Sequence, residues 1–184
     1  MKTLLIGGAR SGKSALAEQW AAAHGGPVTV LVTAHAGDGE MAARIAAHRA
    51  QRPAHWHTVE APTGLAAALQ AADGPGRVLL LDCLTLWLSN ALLADLPPDV
   101  DLDTVRHLPA GPCWAAERAA LLAVLPTLQA ELLLIGNEVG HGIVPLGALN
   151  RLFVDENGRL HQALAAHCDR VRFVMAGCAM PLKG

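Results

Sequence analysis

Residues 7–14 read GGARSGKS, preceded by the apolar run KTLLI (2–6) and followed by a helical pattern over 13–24. The octet fits G-x-x-x-x-G-K-[ST] and falls between a strand and a helix, the context that gives this pattern its meaning. Its glycines let backbone N–H groups turn inward around phosphate oxygens, and the helix that follows presents its positive end to the same anion. In that geometry Lys13 reaches the β- and γ-phosphates, and the Ser14 hydroxyl is a ligand for Mg²⁺. The expected ligand is a nucleoside triphosphate.

Outward from this loop the chain alternates. VTVLVT (28–33), RVLLLD (77–82), ELLLIG (131–136) and RVRFVM (170–175) are short and nearly all apolar, as strands buried on both faces are. HWHTVE (55–60) is a candidate edge strand. Helical patterns lie at 13–24, 39–52, 63–73, 84–94, 114–130 and 147–167. Strands alternating with helices predict an α/β fold, a mostly parallel sheet covered on both faces and joined by right-handed crossovers. Ligands of such sheets bind beyond the carboxyl ends of the strands. The loops at 7–13, 34–39, 83–85 and 137–142 are therefore expected to converge. A Mg²⁺ site also wants a carboxylate at the end of a neighbouring strand, and Asp82 closes VLLLD in that position. Asn137 and Glu138 leave the fourth strand on the same edge. Glu138 reads equally as an active-site carboxylate or as a loop carboxylate capping the next segment.

The rhythm breaks at DLPPDVDLDTVRHLPAGP (95–112), whose four prolines and four aspartates exclude a long regular element. It reads as an excursion from one domain spanning 1–184. The length suits one ordinary domain with a sizeable core. With 52% hydrophobic and 16% charged residues and a net charge of -2, the chain lacks the basic excess of a nucleic-acid binder. No apolar run is long enough to span a membrane, and MKTLLIGG does not fit a signal peptide. Four irregularly spaced cysteines, with no C-x-x-C pair, predict reduced thiols and a cytoplasmic location. The histidines of HWH (55–57) lack a third ligand at a zinc spacing.

EMAARIAAHRAQR (40–52) stacks Glu40, Arg44, His48 and Arg52 at four-residue intervals along one side of a helix. Such a row is either a solvated face, with Glu40–Arg44 as an i,i+4 ion pair, or one wall of an active site. Spacing alone favours the solvated face.

Taken together, these segments resemble the bifunctional adenosylcobinamide kinase/adenosylcobinamide-phosphate guanylyltransferase family of cobalamin biosynthesis. GGARSGKS is similar to the family's opening loop. DGEMAARIAAHRAQRPAHWHTVEAP (38–62) resembles its D-x-E-M-x-x-R-I-x-x-H-x-x-x-R-P-x-x-W-x-T-x-E block. LLLDCLTLWLSN (79–90), GNEVGHGIVP (136–145) and RLFVDENGRLHQALA (151–165) resemble D-C-L-T-x-W-x-x-N, N-E-V-G-x-G-I-V-P and R-x-F-x-D-x-x-G-R-x-N-Q-x-L-A. Val154 stands where the family usually has a basic residue, and His161 replaces its usual asparagine. The ending GCAMPLKG is looser than the family's G-x-P-x-x-x-K.

The resemblance implies a RecA-like P-loop core, a trimer, and two reactions at one phosphate site. ATP or GTP phosphorylates adenosylcobinamide, and GTP then guanylylates a histidine that passes GMP to adenosylcobinamide phosphate. By position that histidine is His48, with Arg44 its electrostatic partner and Lys13 and Glu138 completing the catalytic set. The implied nucleotide-binding residues are Gly7, Gly8, Ala9, Arg10, Ser11, Gly12, Lys13, Ser14, Thr33, Glu60 and Asp82. Ser14 and Asp82 would hold the metal. Two other readings share the loop: a P-loop kinase without nucleotidyl transfer, and a RecA-type NTP-binding regulatory module.

Overall fold

The apolar runs become strands in the computed structural model, which describes residues 1–34 and 52–184. In chain order the strands are β1 Lys2–Gly7, β2 Val28–Val32, β3 His57–Glu60, β4 Val78–Asp82, β5 Glu131–Asn137, β6 Arg170–Met175 and β7 Cys178–Lys183. Five α-helices are described: α1 Lys13–His24, α2 Leu65–Ala72, α3 Leu84–Ala94, α4 Pro112–Val124 and α5 Ala148–His167. The strands form one sheet in the order β3-β2-β4-β5-β1-β6-β7. Every pairing is parallel except β6 with β7. The expected edge strand is present, as β3.

Strand residues alternate between the two faces. Leu4, Leu31, Leu79, Leu81, Leu132 and Leu134 pack on the face covered by α2, α3, α4 and α5. Leu5, Val30, Leu80, Leu133 and Ile135 pack on the other, against Ala17 and Ala21 of α1. In the thicker layer Trp87 and Trp114 meet edge to face, with centroids 5.1 Å apart. Each buried indole N–H donates to a carboxylate: Trp87 to Glu117 Oε2 at 2.8 Å and Trp114 to Glu156 Oε2 at 2.7 Å. These bonds remove the penalty of burying a polar ring atom.

Four expectations are corrected. β4 is not a neighbour of β1, because β5 lies between them. The helix expected at 114–130 starts at Pro112, in the N1 position where a missing N–H costs nothing, and ends at Val124. Pro126 then forces a short 3₁₀ turn, Leu125–Thr127. β7 was not anticipated, because Pro181 argues against a central strand; at a sheet edge proline is tolerated. Arg52, expected to end a helix over 39–52, lies in a bend before Pro53, where the proline ring disfavours helical angles. The rest of that helix falls outside the described residues.

The 95–112 excursion contains turns but no long regular element, and its two ends are pinned together. Asp95 closes α3, and its carboxylate accepts the N–H groups of Cys113 and Trp114, at 2.9 and 3.0 Å, in the first turn of α4. Asp95 thus caps α4 from outside that helix. Asp95→Ala is expected to lower the unfolding free energy by about 1–2 kcal/mol, the usual cost of losing an N-terminal cap. Urea denaturation followed by tryptophan fluorescence reads this directly, and an unchanged midpoint would remove the capping role.

Candidate active site

The phosphate-binding loop is shaped by backbone contacts. Arg10 and Gly12 take positive φ angles of 56° and 95°. The Ser11 N–H turns back to the Gly8 carbonyl at 3.3 Å, and α1 starts at Lys13. On one side, the Glu138 N–H donates to the Gly7 carbonyl at 2.9 Å. On the other, the turn joining β6 to β7 closes in, with the Gly177 N–H donating to the Ser11 carbonyl at 2.8 Å. A Cβ on Gly7 would lie 2.3 Å from the Val174 carbonyl oxygen, so only glycine fits there. The β6–β7 hairpin is therefore a buttress of the loop, a role for Gly177 that sequence reading missed. Its one signal was the turn-forming Ala-Gly pair before CAMPLK.

A cleft of about 600 Å³ opens above the loop, lined by Arg10, Lys13, Ser14, Arg52, Asp82 and Asn137 among others. Lys13 is buried, and its ammonium donates to the Gly8 carbonyl at 2.9 Å. Burial pushes its pKa down, opposed by the nearby Cys83 and Asp82. Burial also pushes the Cys83 thiol up, so Cys83 is neutral at physiological pH and Asp82 supplies the real counter-charge. Arg52 bridges two elements: its Nε donates to Glu18 of α1 at 2.9 Å and its Nη2 to Asp82 at 3.2 Å. The Arg52 side chain is only 6% exposed, so the bridge is poorly screened.

Ser14 and Asp82 both line the cleft, on opposite sides of the intervening β5. Two hard oxygen donors beside a triphosphate pocket suit Mg²⁺, which binds through one or two protein oxygens plus phosphates. No group of three His, Cys, Asp or Glu side chains among the described residues forms an all-protein metal cage.

The cleft floor is polar. Thr85 Oγ1 accepts from the Asn137 side chain at 3.0 Å and contacts Cys83 Sγ at 3.2 Å, and Asn157 Nδ2 donates to the Asn137 carbonyl at 3.0 Å. Glu138 Oε1 accepts the Gly140 N–H at 2.5 Å, while Oε2 faces His161 Nδ1 at 3.8 Å. Burial lowers the His161 pKa, and the Glu138 carboxylate opposes that shift.

The other expected site residues fall as follows. Gly7 and Gly8 form the start of the loop, and residues 9–14 line the cleft. Thr33 does not line it: the residue is fully buried, and its hydroxyl donates to the Cys83 carbonyl at 2.6 Å and accepts the Cys83 N–H at 3.0 Å. Glu60 lies exposed at the end of the edge strand β3, away from the cleft lining. Glu138 adjoins the loop through its backbone, with its side chain on the His161 side. His48, Arg44, Glu40 and His35 lie outside the described residues.

Fold and cleft define a P-loop nucleotide-binding enzyme of the α/β class. Solved structures agree on the fold: an ATPase from the type III secretion system of pathogenic bacteria superimposes with a TM-score of 0.53 at 11% identity. It covers 94% of this chain, which spans 51% of that one. The assembled ATPase EscN of enteropathogenic E. coli superimposes with a TM-score of 0.50 at 11% identity, covering 95% of this chain and 43% of that one.

Residues 3–182 match the family described as cobinamide kinase/cobinamide phosphate guanyltransferase, and the chain belongs to that family. The Pseudomonas aeruginosa bifunctional adenosylcobalamin biosynthesis protein CobP is 53% identical, over 100% of this chain and 98% of that one. CobU of Escherichia coli K12, with the same bifunctional description, is 40% identical over the full length of both chains.

Two outcomes test this geometry. Arg52→Ala leaves Glu18 and Asp82 without their shared cation and is expected to cost about 1–3 kcal/mol, below the full cost of a broken buried pair because both carboxylates keep some solvent. Denaturation at neutral pH reads the loss, and an unchanged midpoint would remove the bridging role. For His161 the folded pKa lies below the unfolded value, so the unfolded state binds more protons between the two and stability rises with pH in that window. The unfolding free energy should therefore fall as pH drops from about 6.5, the ordinary imidazole value, towards the folded pKa, and His161→Asn should remove that component.

Proposed function

We propose that one cleft serves both activities of the family, with the triphosphate bound differently in each. The observation that carries this reading is the P-loop cleft that gathers Lys13, Arg10, Ser14 and Asp82 in a chain matched to the family over residues 3–182. In the kinase step ATP or GTP lies with its γ-phosphate at the loop. The hydroxyl oxygen of adenosylcobinamide attacks that phosphorus, its proton passes to the Glu138 carboxylate, and the bond to the β-phosphate breaks to release the nucleoside diphosphate. Lys13 and the loop N–H groups stabilise charge on the transferring group, the largest contribution a protein makes to phosphoryl transfer. Mg²⁺ held by Ser14 and Asp82 would neutralise phosphate charge when bound.

In the second step a neutral His48 nitrogen attacks the α-phosphorus of GTP, and pyrophosphate leaves. A phosphate oxygen of adenosylcobinamide phosphate then attacks the same phosphorus, the N–P bond breaks, and adenosylcobinamide-GDP forms. Imidazole is a competent nucleophile at neutral pH and a good leaving group from phosphorus. Arg44, one helical turn before His48 in the sequence pattern, stabilises the α-phosphate oxygens. Thr33 supports the nucleotide site indirectly, by fixing the Cys83 backbone beside the cleft.

The assembly fitting the resemblance is a cytoplasmic homotrimer. Its support in this chain is the apolar run after Glu138, where Ile143 and Leu146 are 97% and 96% exposed and suited to burial against a neighbouring copy. Among the described residues no helix is long and apolar enough to cross a membrane.

Incubation with GTP labelled at the α-phosphate tests the histidine route. The expected result is an acid-labile, base-stable protein label with release of pyrophosphate, lost in His48→Ala. Absence of label in the wild-type protein, with adenosylcobinamide still phosphorylated, would leave a kinase alone.

A further inference from the structure

Beside the cleft, at the end of β5, lie groups that these transfer steps leave unused. On α5, Asn157 and His161 lie one turn apart and are 1% and 7% exposed. Asn157 Oδ1 and both ring nitrogens of His161 have no hydrogen-bond partner among the described residues. Buried polar atoms without partners are rare because each costs desolvation, so three together at the end of β5 call for an explanation. All three lie against one strand end. Asn157 grips the Asn137 carbonyl, and His161 Nε2 stands 2.5 Å from where a Cβ on Gly136 would be. The missing side chain at Gly136 thus leaves room for the imidazole. From that seat His161 Nδ1 faces Glu138 Oε2 at 3.8 Å, while the Gly140 N–H holds Oε1. The carboxylate is flanked at both oxygens, by its own loop and by a buried titratable ring.

We propose that His161 is a positioning residue for Glu138, orienting the carboxylate beside the phosphate-binding loop and, once protonated, converting it from a free base into half of an ion pair. The proposal rests on Glu138 being the base of the phosphoryl transfer. At neutral pH the imidazole is uncharged, because burial disfavours the cation more than Glu138 favours it. Among the described residues Glu138 is the sole charged group acting on it. Among the described residues, β1, β5, α3 and α4, which surround that part of α5, contribute no further charge to that balance. On acidification the imidazolium competes with the substrate hydroxyl for the carboxylate. Phosphoryl transfer then declines as His161 becomes charged. An asparagine at 161 offers a hydrogen bond without this titration.

Two measurements test the proposal. The first is the pH profile of kcat, from pH 5 to 9, for ATP-dependent phosphorylation of adenosylcobinamide by the wild-type protein, His161→Asn and His161→Gln. The acid limb is expected to move down by about one pH unit or more in both variants, a shift typical of a removed neighbouring charge, with KM for ATP little altered. The second is a ¹⁵N-imidazole NMR titration of His161, assigned by its absence from His161→Asn, in the wild-type protein and in Glu138→Gln. Loss of the carboxylate should lower the His161 midpoint by a similar amount. Identical acid limbs in all three proteins, or an unmoved His161 midpoint in Glu138→Gln, would overturn the proposal. If His161→Asn folds poorly, the glutamine variant and the Glu138→Gln titration still decide it. Full kinase activity in Glu138→Gln would remove the base role while leaving the coupled titration visible, so the two failures are distinguishable.

Discussion

No side chain fits between Gly7 and the carbonyl of Val174, and the cleft depends on that close backbone approach. The loop leaves the interior strand β1 and passes between the ends of its neighbours β5 and β6. Glu138 after β5 donates to Gly7, and Gly177 after β6 donates to Ser11. These bonds tie the loop to rigid sheet neighbours, which suits a site that must hold a triphosphate without reorganising at the moment of reaction. The strand order has a second consequence. With β5 between β1 and β4, Asp82 faces Lys13 and Ser14 across the breadth of one strand, and Asn137 at the end of β5 lines the cleft between them.

Charge within the cleft is balanced internally. Arg52 joins Glu18 on α1 to Asp82 on β4, so a helix from one face of the sheet is tied to the catalytic edge of another strand. Lys13 is drawn back onto its own loop and sits within the field of Asp82. A cationic wall partly offset by two carboxylates keeps buried charges paired, which a half-buried site requires.

Local pattern was enough for the strands, the P-loop, and Asp82 at the end of its strand. Leucine and valine runs of five or six residues permit little besides buried strands, and G-x-x-x-x-G-K-S between a strand and a helix has one structural solution. The edge strand β7 escaped because its signal is weak: CAMPLK is mostly exposed and carries a proline. Thr33 was placed with the nucleotide from sequence. Its buried hydroxyl bonds the Cys83 backbone, a contact across 50 residues of chain that no sequence spacing carries. His161 was noticed only as a departure from a family pattern; its meeting with Glu138 spans 23 residues of chain and needs α5 to pack under the end of β5.

Chemistry written in contiguous residues was therefore legible directly: a phosphate-binding loop, an α/β alternation, and segments specific enough to mark the family. Local backbone preferences produce those features, and they survive being read one window at a time. The order of strands, the hairpin that buttresses the loop, the Arg52 bridge and the His161–Glu138 contact arise from packing between distant segments. Their physical cause is the match of side-chain volume and charge across the sheet, which exists only once both partners are folded against it.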